Sequence, residues 1–304
     1  MSIPESLKKC GLFLLLTFAA CWTLAGVFHA AGGRLSSPAG LAMSLAYMVL
    51  PMTMALVVQK LIHHQPVLEP LRINLHFNRW FLVAWLLPPL LAFAALGAAL
   101  FMPGVTFDPQ MHDMFSRFAT QLSPDKVAKL RAQVASMPVH PIWLALAQGL
   151  AAGATVNALA GFGEELGWRG LLLKELSFLG FWRASFIIGL VWGIWHAPII
   201  LMGHNYPQHP VPGVYLMTDF TLLFSPLIAY VTLKSRSVLA AAIMHGTLNG
   251  TYGLGIMTLR GGNDLTVGLM GLAGLGVLLA ANVLLFLYDR FLAKEPITRC
   301  LAWE

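Results

Sequence analysis

The chain has 304 residues, 58% hydrophobic and only 11% charged, with a mean hydropathy of +0.72 and a formal net charge of +6. Soluble domains carry about 25% charged residues, so this composition excludes a water-soluble globular protein and defines an all-α polytopic membrane protein in contact with the lipid bilayer. The basic residues fall mainly beside apolar segments, which gives no support to a nucleic-acid partner.

Eight apolar stretches are long enough to cross a bilayer: roughly 10–30, 40–59, 81–102, 141–163, 184–203, 213–233, 237–258 and 265–288. The first follows Lys8-Lys9 and passes Ala19-Ala20-Cys21, faintly like a cleaved lipoprotein signal, but apolar sequence continues through Val27, so an uncleaved helix is expected. Cys10, Cys21 and Cys300 offer no paired spacing for a disulfide framework. Between spans two and three, 60–80 carries His63, His64, Arg72, His76 and Arg79 and reads as a surface-lying stretch; its histidines lack the further ligands a metal site needs. The longest polar insert is 103–140. There Met111, Met114, Phe115, Phe118 and Leu122 recur at helical spacing, and Ser123-Pro124-Asp125 reads as the N-cap and first turn of a second short interfacial helix. No soluble domain interrupts the spans, so 1–304 reads as a single membrane domain with a motif-bearing core at about 141–258.

Orientation follows from the basic residues, because short loops rich in Lys and Arg stay in the cytoplasm. An even number of spans puts both termini on one side, and that side holds thirteen of the nineteen Lys and Arg residues. Four of the other six lie in the long insert, which the rule weights less. Both termini are therefore expected in the cytoplasm, with the protein in the cell's inner membrane.

Charged and strongly polar groups at membrane depth cost on the order of 2.5–3.5 kcal/mol each, so they persist only when paired, hydrated or used. Three sites stand out: Gly161-Phe-Gly-Glu164-Glu165-Leu-Gly-Trp-Arg169 at the end of span four, Trp192-Gly-Ile-Trp-His196 in span five, and His245 with Asn249 in span seven. Glu165 and Arg169 stand four apart and can pair along one helix face, whereas Glu164 is turned about 100° away and is freer to face a cavity. Pro198 removes a helix hydrogen bond and should kink span five near Ile194, aiming His196 inward. His245 and Asn249 share one face. Asn157 lies near the same stripe as Glu164 and reads as a helix-contact hydrogen bond; Asp219 reads as interfacial or helix-paired. Carboxylate, two imidazoles and an amide on three helices make up a hydrolase inventory.

In this order, Glu164-Glu165-x-x-x-Arg169, an aromatic four residues before His196, and His245-x-x-x-Asn249 resemble the three motifs of the CAAX protease and bacteriocin-processing family of intramembrane glutamate endopeptidases. The family's second motif usually begins with phenylalanine, and Trp192 takes that place here. The resemblance implies an eight-span helical fold and a peptide or protein substrate reached from the inner face. It further implies water activation by Glu164 with His196 and oxyanion stabilisation by His245 and Asn249, with Glu165, Arg169 and Trp192 in support and no cofactor. Zinc held by Glu164, His196 and His245 is the nearest competing chemistry, although the His-Glu-x-x-His signature is absent. Other classes open to the same residues are a proton-coupled transporter, disfavoured because no repeated halves are visible, and a non-catalytic immunity or partner-binding protein.

Overall fold

Ser2, Ser37, Asn78 and Ser237 each precede a long apolar run, and each marks a helix start in the computed structural model, which describes residues 2–114, 124–298 and 303. Ser37 Oγ accepts from the Gly40 amide at 3.0 Å and Asn78 Oδ1 from the Trp80 amide at 3.0 Å, satisfying amide groups that a helix leaves unpaired at its start.

The helices are α1 (Ile3–Ala30), α2 (Pro38–Leu56), α3 (Arg79–Ala99), α4 (Pro124–Ala135), α5 (Pro141–Gly153), α6 (Val156–Glu165), α7 (Phe181–Trp195), α8 (Ala197–Leu201), α9 (Pro210–Ser235), α10 (Val238–Thr251), α11 (Leu254–Met257) and α12 (Leu272–Phe291). Two-residue strands β1 (Thr106–Phe107) and β2 (Leu259–Arg260) pair antiparallel, with Thr106 opposite Arg260.

The protein is thus an all-α membrane protein, and each of the eight apolar stretches contains helix. Among the described residues, five helices are long and apolar enough to span a bilayer singly: α1, α2 with its continuation to Ile62, α3, α9 and α12. A sixth span is the pair Pro141–Gly153 and Val156–Glu175, bent by 53°. Stretches five and seven break up: α7 has 15 residues and α10 has 14, about 22 and 21 Å of helix against a core of about 30 Å, and α8 and α11 extend them beyond each break. By length and composition the described helices give five spans, or six with the bent pair, and do not confirm the expected count of eight. Breaks of this kind at membrane depth are tolerated where the backbone is buried in protein or lines a cavity. Leu15, Leu41, Leu82, Leu90, Leu159 and Leu284 are each more than half exposed on the outside of the bundle, an apolar surface of the kind that lipid covers.

The bundle has two distinct ends. At the terminal end, Lys9 Nζ donates to Gln59 Oε1 at 2.5 Å, Gln65 Oε1 at 2.7 Å and Glu175 Oε1 at 2.9 Å, so a fully buried lysine is fully partnered. Asn74 donates to the Arg236 carbonyl, Arg72 lies over the Trp303 ring, and Lys234 donates to the Glu295 carbonyl. Segment 63–78 is turn and coil that closes this end, with Leu68, Leu75 and Phe77 exposed; His63 and His64 gather no further ligands among the described residues. At the far end, β1 pairs with β2, His209 Nδ1 meets Asp264 Oδ1 at 2.6 Å, and Tyr206 donates its hydroxyl to the Met270 carbonyl at 2.7 Å. The second helix expected in the insert is α4, with Asp125 in its first turn. Phe115, Phe118, Leu122 and Ser123 of the first expected helix and its boundary lie outside the described residues, as does Cys300. Cys10 and Cys21 are buried and unpaired.

Helices α6 and α10 approach closely because glycines face each other across them. A methyl group on Gly246 would sit 2.5 Å from the Ala158 nitrogen, and one on Gly161 would sit 3.0 Å from the Ala242 carbonyl oxygen. Small residues allow this backbone approach in lipid, and it sets His245 against the two carboxylates.

Candidate active site

Glu164 and Glu165 close α6, where the helix loosens into a π-helical segment, Leu166–Leu172. Wide helical turns of this type recur at functional sites. Successive residues point about 100° apart, so the two buried acids meet different partners. Glu165 Oε1 accepts from Arg169 Nη1 at 3.1 Å and lies 2.7 Å from His245 Nδ1. Glu164 Oε2 accepts the Trp192 indole N–H at 2.8 Å, and its Oε1 lies 3.8 Å from His245 Nε2. His245 therefore stands between both carboxylates. With its Nδ1–H given to Glu165, its Nε2 is turned to Glu164 and the cavity.

Arg169 is fully buried and its Nε and Nη2 have no hydrogen-bond partner. Its guanidinium instead lies 4.4 Å from the Trp192 ring centroid, where the π face compensates part of the lost hydration. Trp192 thus serves two neighbours at once, Arg169 through its face and Glu164 through its N–H. A phenylalanine there could serve only the first.

The break expected near Ile194 falls one residue later: α7 stops at Trp195 and the chain restarts at Ala197, leaving His196 at the joint. Helix ends leave carbonyls unpaired, and here the Trp195 carbonyl accepts from Tyr47 Oη at 2.7 Å and Trp22 Nε1 at 3.3 Å. Helices α1 and α2 so lock the joint. His196 Nδ1 donates to the Trp192 carbonyl at 2.8 Å, which leaves Nε2 free as an acceptor.

Glu164, Trp192, His196, His245 and Asn249 line one cavity of about 240 Å³. Its walls include Tyr47 and Met48 of α2, Met217 and Phe220 of α9, and Met270; Ser44, His204 and Tyr252 also reach it. Glu165 and Arg169 are not among its lining residues. Asn157 donates to the Gly246 carbonyl at 3.3 Å and serves helix contact, whereas Asp219 is exposed on α9. Sequence reasoning missed Trp22, Tyr47 and His204. It also missed the second partner of Glu165, which is 80 positions away and left no local signal.

The fold and site together define a polytopic membrane protein with a buried carboxylate–imidazole cavity formed by helices α2, α6, α7, α9 and α10. Residues 141–251, which hold every member of the constellation, match the family model for type II CAAX prenyl endopeptidase Rce1-like proteins. A curated CAAX prenyl protease 2 from Methanococcus maripaludis is 34% identical over 98 residues, covering 30% of this chain and 36% of that protein. The match thus spans little more than a third of the length of that relative.

Proposed function

We propose that this protein is an intramembrane endopeptidase in which Glu164, aided by His196, activates a water for attack on a peptide carbonyl. The observation that carries the reading is that Glu164, His196 and His245 line one cavity, with Glu164 Oε1 3.8 Å from His245 Nε2. Trp192 holds one oxygen of Glu164 and leaves the other to take the water's proton. The Nε2 of His196, unprotonated because Nδ1 carries the hydrogen, accepts from the same water and orients it.

As the tetrahedral intermediate forms, negative charge collects on the former carbonyl oxygen. His245 can donate to it from Nε2 only when both ring nitrogens carry protons, and Glu165 on Nδ1 stabilises that imidazolium. Two carboxylates and one guanidinium leave one unit of negative charge in a buried site, which the proton on His245 balances. Asn249, one turn further along α10, supplies a neutral amide donor. Prepositioned donors of this sort are worth about 2.7–4 kcal/mol each where water is excluded.

The reaction needs no metal in this reading. Among the described residues no three His, Cys, Asp or Glu side chains gather at the spacing that holds one ion, which favours the metal-free reading over a zinc held by Glu164, His196 and His245. Purified protein incubated with apolar peptides, prenylated and unprenylated, is expected to yield cleavage products by mass spectrometry and to keep that activity after chelator dialysis. Absence of products in every peptide class would leave a binding or transport protein, and stoichiometric zinc whose removal and return switch cleavage off and on would replace this chemistry with a metalloprotease.

Trp192→Phe tests the orienting bond separately. Volume, aromatic character and the contact with Arg169 are largely kept, while a hydrogen bond to a charged group worth about 1.5–3 kcal/mol is lost. The turnover rate kcat is expected to fall by roughly ten- to hundredfold with KM little changed. A wild-type kcat in this variant would remove Trp192 from the machinery.

A further inference from the structure

His204 lines the same cavity as Glu164, His196 and His245, yet the proposed chemistry gives it no task. Its place is set by the element that follows His196. Helix α8 starts directly after that residue and ends in a backbone cap: the Gly203 amide donates to the Ile200 carbonyl at 2.8 Å and the His204 amide to the Ile199 carbonyl at 3.0 Å, with Gly203 at φ +93°. This pairing closes a helix through a left-handed residue, a conformation that glycine takes without steric cost. The five residues of α8, about 7.5 Å of helix, thus stand between the two histidines. Beyond the cap the chain is pinned again. Tyr206 is fully buried, gives its hydroxyl to the Met270 carbonyl at 2.7 Å, and packs where a methyl group on Gly213 would lie 2.5 Å from it. The Gln208 amide donates to Asp264 Oδ2 at 2.7 Å. The His204 backbone is therefore held in place before any ligand arrives.

The other polar side chains of the cavity already have work or partners. Glu164, His196, His245 and Asn249 are taken by the water and the oxyanion. Ser44 Oγ donates to the Gly40 carbonyl at 2.9 Å, and Asn205 Nδ2 to the Met270 sulfur at 3.3 Å. Left over are the Tyr252 hydroxyl and the two ring nitrogens of His204, which have no hydrogen-bond partner among the described residues. Tyr252 is the more open of the two residues, at 37% exposed, and its hydroxyl turns freely. A neutral imidazole instead offers one donor and one acceptor at fixed points of a rigid ring.

A peptide in this cavity needs such groups. A helical segment keeps its carbonyls in its own hydrogen bonds, so a bond can be attacked here only in an unwound stretch, with the amides and carbonyls on either side unpaired. Against Met48, Ile199, Met217, Phe220 and Leu248 those groups would stay unsatisfied, at a cost comparable to a lost hydrogen bond for each.

We infer that His204 is a substrate-binding residue whose imidazole pairs with the main chain of an extended apolar peptide, at a peptide unit flanking the scissile bond, and so holds the scissile carbonyl at Glu164 and His196. The role in hydrolysis rests on the endopeptidase reading; the binding of a peptide main chain does not. Because every residue presents the same amide and carbonyl, this contact fixes the register of the chain without selecting its side chains.

The test reads binding on the Glu164→Gln protein, which should hold a peptide without cutting it. The probe is a fluorophore-labelled peptide of leucine and alanine, followed by anisotropy in detergent, together with versions in which one amide at a time is replaced by an ester. In that background His204→Ala is expected to weaken binding about tenfold, and His204→Gln, which keeps one donor and one acceptor, to recover most of the loss. One ester should weaken binding about tenfold when His204 is present and add nothing in His204→Ala, the non-additivity that marks two groups in contact. The helix cap is made by backbone groups, so His204→Ala should keep its Tm, and a loss of binding through misfolding would not depend on which amide is replaced. Unchanged affinity in His204→Ala, esters that act equally on both proteins at every position, or no saturable binding would overturn the inference. The expected pattern in a protein whose Glu164 form cuts no peptide would sink the endopeptidase reading and leave His204 as a peptide-binding residue; cleavage with an indifferent His204→Ala would do the reverse.

Discussion

Glu164→Gln is expected to abolish peptide hydrolysis while leaving the protein folded. The substitution keeps shape and keeps an acceptor for the Trp192 indole N–H, because the amide oxygen can take the place of Oε2 at 2.8 Å. What it removes is the negative charge and the capacity to accept the proton of an attacking water. General-base participation contributes about 10²- to 10⁴-fold, and in the proposed mechanism the same carboxylate, 3.8 Å from His245 Nε2, also offsets the charge of a His245 imidazolium. The expected loss in kcat is therefore at least about a thousandfold, reading as no product above background. His196→Ala and His245→Ala should be similarly inactive, and because residues acting as a unit are non-additive, combining either with Glu164→Gln should cost little more. Wild-type turnover in Glu164→Gln, measured by product mass spectrometry on monodisperse protein, would remove Glu164 as the base.

Arg169→Ala should instead unfold the site. The guanidinium is completely buried, ion-paired with Glu165 and stacked on Trp192, so its removal leaves a buried carboxylate without its cation and opens a void beneath an aromatic ring. Breaking a buried pair from one side costs about 3–5 kcal/mol, several times what an exposed pair would cost. A loss of that size is a large share of a typical folding free energy of about 5–15 kcal/mol and should appear as a clear drop in Tm in detergent, whereas Glu164→Gln should melt near wild type. Equal melting temperatures for the two variants would contradict the division between a pair that supports the site and an acid that works in it. Because Glu165 also holds His245 Nδ1, Arg169→Ala is expected to lose activity even at temperatures where it stays folded.

Much of this was legible in the chain. Apolar runs report lipid directly, since every residue facing the tails must be cheap to bury there, and so the helical membrane class and the boundaries of most helices follow from composition and end signals such as Ser37-Pro38 and Asn78. Acids and histidines inside such runs are costly enough to stand out singly. For this reason Glu164, His196, His245 and Asn249 could be picked out before any contact was known. The four-residue spacing of Glu165 and Arg169 gave their pairing from helix geometry alone. Pro198 gave the break that carries His196 to within a residue.

Tertiary structure decided what periodicity cannot encode. Span number is one case: α7 and α10 are individually too short to cross, and the breaks after them depend on neighbours that satisfy freed backbone groups, such as Tyr47 and Trp22 on the Trp195 carbonyl. The double engagement of His245 is another, because its partners on α6 are brought near by glycine contacts between helices far apart in sequence. The role of Trp192 as a donor to Glu164 depends on a distance across 28 positions. Composition determined the solvent, and local spacing determined which side chains had to be used or paired; only the packing of the helices decided which of them share a cavity, because that is a relation between distant segments, each of which satisfies the same local rules in either arrangement.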